Sequence, residues 1–252
     1  MIRLTVHLLK KLMAAILPIV IVFVAVFALW FWLVSLPAGS GLVSLLSHVL
    51  LLGVFCCGAA LLFYLLLQLW LMLQNSIYGS QAYLIRTLPL GRRQIYGACL
   101  INALVSLVLL VGLFALMILI AGTKADLLET LNLVLDGQTP QMIAVLILEV
   151  VFQWLFYVCS GYVGICFGHR KGSSDRVEMT GIGIACVMVG QALGIGLVFA
   201  LNPQLASKID SSPALSSTFI TLVAQIAVIY GLFDLACILL CGWRIRKAAD
   251  VE

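Results

Sequence analysis

The stretch LMAAILPIVIVFVAVFALWFWLVSL, Leu12 to Leu36, contains no charged residue and decides the fold class. Uncharged sequence continues as far as Arg86, interrupted only by the turn-like cluster SLPAGSG, Ser35 to Gly41. A helix needs about 20 apolar residues to cross the ~30 Å hydrocarbon core of a bilayer. Leu12 to Leu36 is therefore predicted to span a membrane.

The composition of the whole chain agrees with this interpretation. Hydrophobic residues make up 64% of the 252 residues, charged residues 10%, and the mean hydropathy is +1.21. Soluble domains carry roughly a quarter charged residues. We therefore predict an all-α integral membrane protein, with residues 1–252 forming a single transmembrane domain and no room for a sizeable soluble one.

Six apolar segments are candidates for transmembrane helices. The second, at ~1.5 Å per helical residue, would be about 54 Å long and exceeds the bilayer core, so its polar end (Gln68, Gln74, Asn75 and Ser76) is expected to protrude into water. The predicted spans cover residues 12–36, 42–77, 94–121, 141–167, 180–201 and 215–243.

The distribution of cations predicts the orientation, because short cytoplasmic segments retain Lys and Arg. With both termini cytoplasmic, only Lys124 and Lys208 fall outside. This predicts a multi-pass protein of the cell membrane, specifically the bacterial cytoplasmic membrane. The remaining twelve of the 14 cations are Arg3, Lys10, Lys11, Arg86, Arg92, Arg93, Arg170, Lys171, Arg176, Arg244, Arg246 and Lys247.

The first 13 residues place basic and apolar side chains on different faces of a helix. This pattern is typical of an amphipathic helix lying in the cytoplasmic interface, and a solvated basic terminus is the alternative. The polar face is formed by Arg3, His7, Lys10 and Lys11, and the apolar face by Leu4, Leu8 and Leu12.

Small residues inside the spans indicate close packing. The pairs Gly164 with Gly168 and Gly190 with Gly194 have G-x-x-x-G spacing, which serves packing within the chain or across a dimer interface. All eight cysteines fall in predicted spans and are interpreted as small apolar packing residues.

The sequence carries no enzymatic motif. The glycine-rich segment GHRKGSSD, Gly168 to Asp175, lacks the Lys-Ser/Thr ending of a P-loop. No Cys and His residues have metal-ligand spacing, and the three His are scattered. We predict no catalytic residue, no metal, no cofactor in this chain and no nucleic-acid partner.

Two acidic residues lie inside predicted spans, where charge is costly. Glu149 and Asp234 are each ~13–15 Å from an end of their span and therefore near the midplane. Gln153 shares the helical face of Glu149. These acids serve packing alone, bind cationic substrate groups or carry protons, and the sequence leaves the three roles open.

The most polar segment among the spans is SQAYLIRTLPLGRRQIYG, Ser80 to Gly97, in the predicted cytoplasmic connection between spans two and three. Leu84, Ile85 and Leu88 fall on one helical face and Arg86 on the opposite face. The pattern predicts a short amphipathic helix that docks into a groove on a partner, with Arg92 and Arg93 opening the next span.

Within this region, YLIRTLPLGRRQIYGACLI, Tyr83 to Ile101, resembles the corresponding segment of ABC-2-type permeases. The resemblance implies that the segment is a coupling helix, which inserts into a separate P-loop ATPase that binds ATP and Mg. It also implies a second permease chain, in a homodimer or a paralogous heterodimer. By this resemblance the ATPase contacts are Gln81, Tyr83, Leu84, Ile85, Arg86, Leu88 and Pro89, with Arg92 and Arg93 at the membrane edge.

The function expected from this resemblance is that of a permease subunit, not an enzyme, exporting an apolar or amphipathic substrate such as a peptide, lipid or drug. The substrate pathway would be lined by Asn102, Glu149, Gln153 and Asp234. The alternative is a proton-coupled secondary carrier that uses Glu149 and Asp234. A membrane scaffold or sensor subunit is the third class.

Overall fold

The computed structural model describes residues 2–35, 41–78, 91–122, 140–168, 176–203 and 215–249. Within these ranges the chain forms six helices, each long and apolar enough to cross a membrane, which confirms the predicted fold class at this level. The side on which each terminus lies is still a prediction. The helices are α1 (Ile2–Val34), α2 (Gly41–Ile77), α3 (Arg92–Gly122), α4 (Pro140–Gly168), α5 (Arg176–Leu201) and α6 (Leu215–Ala249).

Local sequence explains several helix ends. Proline suits the first helical position, and Pro140 opens α4. At the start of α3 the amide of Gly91 donates to Oε1 of Gln94 (3.3 Å), the backward bond of a capping box. At the end of α5 the amide and the side-chain nitrogen of Asn202 both donate to the carbonyl of Val198, each at 3.0 Å, and Pro203 follows.

Helix α1 runs without interruption through the predicted interfacial segment and the first span. Leu4, Leu8 and Leu12 are 9%, 2% and 4% exposed, so the predicted apolar face exists. It is covered by protein and not by lipid, whereas His7 and Lys10 are exposed. The interfacial location of this segment remains a prediction.

The chain divides into two compact units. The first contains α1, α2 as far as Met72 and α3 from Ala98. In it the rings of Phe23 and Phe114 meet edge to face at 5.4 Å. A Cβ at Gly58 would lie 3.5 Å from both rings, so this glycine gives them room beside α2.

The second unit contains α4, α5 and α6, together with the end of α2 from Leu73 and the start of α3 as far as Gly97. Helix α4 packs against both α5 and α6. Gly168 faces Met179 and Gly164 faces Gly183, so α4 and α5 run antiparallel. Phe156 contacts Tyr230 and Phe167 contacts Arg244 further along both helices, so α4 and α6 run parallel.

Both G-x-x-x-G pairs serve packing within the chain, as one of the two sequence interpretations predicts. A Cβ at Gly164 would lie 2.6 Å from the Cα of Gly183 and 2.8 Å from the carbonyl oxygen of Met179. A Cβ at Gly190 would overlap the ring of Phe156. Because Gly164 meets backbone, the separation of α4 and α5 is fixed there by the missing side chain.

The end of α2 differs from its prediction. The helix does continue to Ile77, but Gln74 and Ser76 are only 6% and 2% exposed and do not protrude into water. The turn from Leu73 onward belongs to the second unit, and protein covers these polar side chains.

Candidate functional site

The structure describes some of the predicted site residues and not others. Asn102 lies on α3 in the first unit, Glu149 and Gln153 lie on α4, and Asp234 lies on α6 in the second unit. Arg92 and Arg93 open α3 as predicted, although their side chains are outside the described part of the chain. The predicted ATPase contacts outside the described residues are Gln81, Tyr83, Leu84, Ile85, Arg86, Leu88 and Pro89.

Gln153 belongs to a chain of hydrogen bonds that joins α4, α5 and α6. Its Nε2 donates to the hydroxyl of Tyr157 at 3.3 Å, and Nε2 of Gln191 donates to the same hydroxyl at 3.0 Å. The hydroxyl of Tyr230 then donates to Oε1 of Gln191 at 2.5 Å. Of these four residues the sequence predicts only Gln153, and the other three complete the site.

This hydrogen-bonded chain lies deep in the membrane-spanning part of the unit. Tyr157, Gln191 and Tyr230 are each near the middle of an apolar window that can span a bilayer. Polar side chains at this depth are costly unless they bond to one another. Phe156 packs against the ring of Tyr230 at 5.2 Å and against the ring of Tyr157 at 5.9 Å, so apolar surface surrounds the polar groups.

Glu149 lies one helical turn from Gln153, at the end of this polar row. Its side chain is half-buried and makes no hydrogen bond or ion pair with a residue that the structure describes. It interacts electrostatically with Tyr230. Its predicted role in a substrate pathway stays a prediction.

Asp234 lies one turn beyond Tyr230 on α6 and is 4% exposed. Neither carboxyl oxygen has a hydrogen-bond partner among the described residues, and the thiols of Cys159 and Cys237 are within electrostatic range. An unpaired charge in such a place costs several kcal/mol. Asp234 therefore needs either a proton or a cationic ligand.

Asn102 is fully buried on α3, and neither its oxygen nor its nitrogen bonds to a described residue. Buried amides in proteins are nearly always hydrogen-bonded, so this side chain is a further candidate for ligand contact. It belongs to the first unit and is not part of the hydrogen-bonded chain.

None of the eight cysteines forms a disulfide bond, and Cys99, Cys159, Cys166 and Cys241 are buried, in agreement with a packing role. No group of three His, Cys, Asp or Glu side chains in the described ranges is arranged to hold a metal ion. The polar chemistry of the site consists of amides, phenols and carboxyl groups.

The fold and these polar groups define a multi-pass membrane protein with a polar site inside its helical bundle. Comparison of the chain with protein-family models, with curated proteins and with solved structures finds no match.

The hydroxyl of Tyr157 accepts hydrogen bonds from both Gln153 and Gln191, which leads to a prediction about stability. Tyr157→Phe removes the acceptor of two hydrogen bonds, and because such bonds in membranes are worth about 0.6 kcal/mol on average, we expect a loss of about 1 kcal/mol. Tyr64→Phe in α2 is the matched control, since no hydrogen bond of its hydroxyl is found among the described residues. Thermal unfolding in detergent should show a lower Tm for Tyr157→Phe than for the unchanged protein or for Tyr64→Phe. Equal Tm values for the two variants would contradict the two hydrogen bonds to Tyr157.

Proposed function

We propose that this chain is the transmembrane permease subunit of an ATP-driven exporter, powered by a separate P-loop ATPase. The observation that carries the proposal is the segment Tyr83–Ile101, which resembles a coupling helix, in a chain that has no P-loop of its own. Because residues 1–252 carry no P-loop, the spans need a partner if ATP is to drive transport. The permease works beside a second chain, either identical or paralogous.

The substrate is apolar or amphipathic. Apolar side chains form most of the spans. In the second unit a few polar groups receive the polar part of the substrate: Glu149 and Gln153 on α4 and Asp234 on α6. Asn102 on α3 of the first unit is proposed separately as a substrate contact. The hydroxyl of Tyr157 accepts a hydrogen bond from Gln153 and holds it in place, and Gln191 donates to the same hydroxyl. Ligand sites of this kind combine apolar walls with a small number of placed polar groups.

ATP binding to the partner drives a rigid-body change of the bundle. The contact of Gly164 with the backbone of α5 supports this mechanism, because helices that touch through their backbones move together. The hydrogen bonds among Tyr157, Gln191 and Tyr230 also tie the three helices of the second unit to each other. Force applied at a coupling helix is then transmitted without local bending.

The test is purification of the full chain from membranes of its own cells, followed by identification of bound proteins. A P-loop ATPase should copurify in a stoichiometric amount. If no ATPase copurifies, and liposomes that contain this chain alone transport substrate along a pH gradient, the permease proposal fails.

The second candidate function is a proton-coupled carrier, and the buried carboxyl group of Asp234 without a hydrogen-bond partner favours it.

In either function Asp234→Asn should leave stability unchanged, because the carboxyl makes no hydrogen bond among the described residues. Transport should fall at least tenfold, since loss of one charge-assisted contact costs about 1.5–3 kcal/mol. Asp250→Asn, the same change outside the spans, is the control.

The energy source then separates the two functions. A loss of ATP-dependent transport in Asp234→Asn agrees with the permease, and a loss of transport driven by a pH gradient agrees with the carrier. Unchanged transport in both assays would show that Asp234 only fills space.

A further inference from the structure

A small apolar pocket lies between α5 and α6 in the second unit. Its volume is about 170 Å³. Aliphatic and aromatic side chains form nearly all of its wall, and Tyr230 is the lining residue with a polar side-chain group. The lining includes Gly194, Ile195 and Phe199 of α5 and Ile226, Ile229 and Tyr230 of α6.

Two hydrogen bonds join α6 to α5 and to Asn202, the residue after α5, and they flank the pocket lining in sequence. Gln191 accepts from Tyr230 at 2.5 Å on one side, and Nδ2 of Asn202 donates to Oε1 of Gln225 at 2.6 Å on the other. The α5 segment between these bonds supplies the apolar lining. Because both bonds hold α5 against α6, the pocket between them is part of the folded unit and not a loose gap.

Two side chains that line the pocket are exposed at membrane-spanning positions. Ile195 and Phe199 are each 56% exposed, and both lie inside a helix window that can span a membrane. The medium next to such side chains is lipid acyl chain and not water. The occupant most available to the pocket is therefore a hydrocarbon chain that enters from the side.

Size and polarity restrict the occupant further. An apolar protein cavity of about 150 Å³ stays dry and binds benzene, and pockets for drug-sized ligands are about 300–1,000 Å³. The volume here thus suits a segment of one hydrocarbon chain and not a whole amphiphile. The hydroxyl of Tyr230 is already engaged with Gln191, so the pocket offers no free polar group to a water molecule.

We propose that the pocket between α5 and α6 holds one acyl chain of a bilayer lipid. The acyl chain would pack on Gly194 and on the ring of Tyr230, next to the hydrogen bonds that join Gln153, Tyr157, Gln191 and Tyr230. This proposal depends on the membrane-spanning position of α5 and α6 and not on the energy source of transport.

The experiment uses the full chain in nanodiscs of phosphatidylcholine, a fraction of which carries a diazirine in the middle of one acyl chain. After illumination, mass spectrometry locates the adducts. Pocket residues such as Ile229 should be labelled at least threefold more than Leu235 and Leu239, which are 55% and 64% exposed on the same helix. Equal labelling of the two groups would overturn the proposal.

A pocket-filling variant and a matched control make the test specific. A Cβ at Gly194 would lie 3.6 Å from the hydroxyl of Tyr230, so Gly194→Leu places its side chain in the pocket and should reduce labelling at least threefold. Gly196→Leu, with nothing within 4 Å of its Cβ, should leave labelling unchanged. If Gly194→Leu does not fold, Ile226→Phe fills the pocket from α6.

Two further outcomes would contradict the proposal. The first is undiminished labelling of the pocket in a folded pocket-filling variant. The second concerns a photoreactive residue introduced at Ile195: a crosslink to a second copy of the chain, in place of a lipid adduct, would assign the pocket to a subunit contact.

Discussion

Gly164→Ala is expected to destabilise the protein by about 3 kcal/mol, the upper end of the cost of overpacking. The new methyl group would lie 2.6 Å from the Cα of Gly183 and 2.8 Å from the carbonyl oxygen of Met179. Both are backbone atoms, so no side chain can rotate away, and α4 and α5 must separate. Such a loss corresponds to a fall in Tm of roughly 10 °C, measurable by thermal unfolding of the purified protein in detergent.

Gly181→Ala is the matched control, because it adds the same methyl group to α5 where nothing lies within 4 Å. Its exposed position and the higher helix propensity of alanine predict an unchanged or slightly raised Tm. If both variants unfold at the same temperature, the backbone contact between α4 and α5 is not tight, and the proposed rigid movement of the second unit loses its structural support.

Leu84→Asp combined with Arg86→Glu is expected to release the proposed ATPase and to reduce ATP-dependent transport to less than a tenth. The first change puts a charge on the predicted apolar docking face, and the second reverses a cation on the opposite face of the same segment. Retention of the ATPase on the tagged chain and transport in reconstituted vesicles are the two measurements.

The control for this double variant places the same charge changes on the opposite side of the membrane. Leu127→Asp with Lys124→Glu alters the predicted outer connection between spans three and four. It should retain the ATPase and transport at the level of the unchanged protein. Loss of the ATPase in both variants would indicate a general folding defect, and retention in both would contradict docking through Tyr83–Arg93.

The six helices could be predicted from the sequence because each is a continuous apolar run. Predicted spans 42–77 and 141–167 agree within one residue with Gly41–Ile77 and Pro140–Gly168. The sixth helix extends beyond the predicted span 215–243: apolarity ends at Trp243, and the helix continues to Ala249. Hydropathy indicates where a segment leaves the hydrocarbon core of the membrane. The hydrogen bonds of a helix can continue through charged residues, so the helix can end later than the apolar segment.

The partners of the polar side chains could not be predicted in the same way. Gln153 can be predicted because it shares a face with Glu149 on one helix, and the sequence determines which residues of a helix share a face. The bonds from Gln191 to Tyr157 and from Tyr230 to Gln191 depend on how α4, α5 and α6 are aligned with one another. That alignment is set where Gly164 meets Gly183 and where Gly190 meets Phe156. The G-x-x-x-G spacing shows that these glycines allow close packing but does not identify the residues that they contact.

If a separate ATPase drives this chain, Tyr83–Arg93 must face the compartment that holds ATP. Labelling of Thr87→Cys with a membrane-impermeant maleimide tests this directly, with Ser211→Cys in the predicted outer connection as the reference. If the chain is a permease subunit, Thr87→Cys should react with the maleimide only in inside-out vesicles, and Ser211→Cys should react only in right-side-out vesicles. Reaction of Thr87→Cys in right-side-out vesicles would contradict the proposed function.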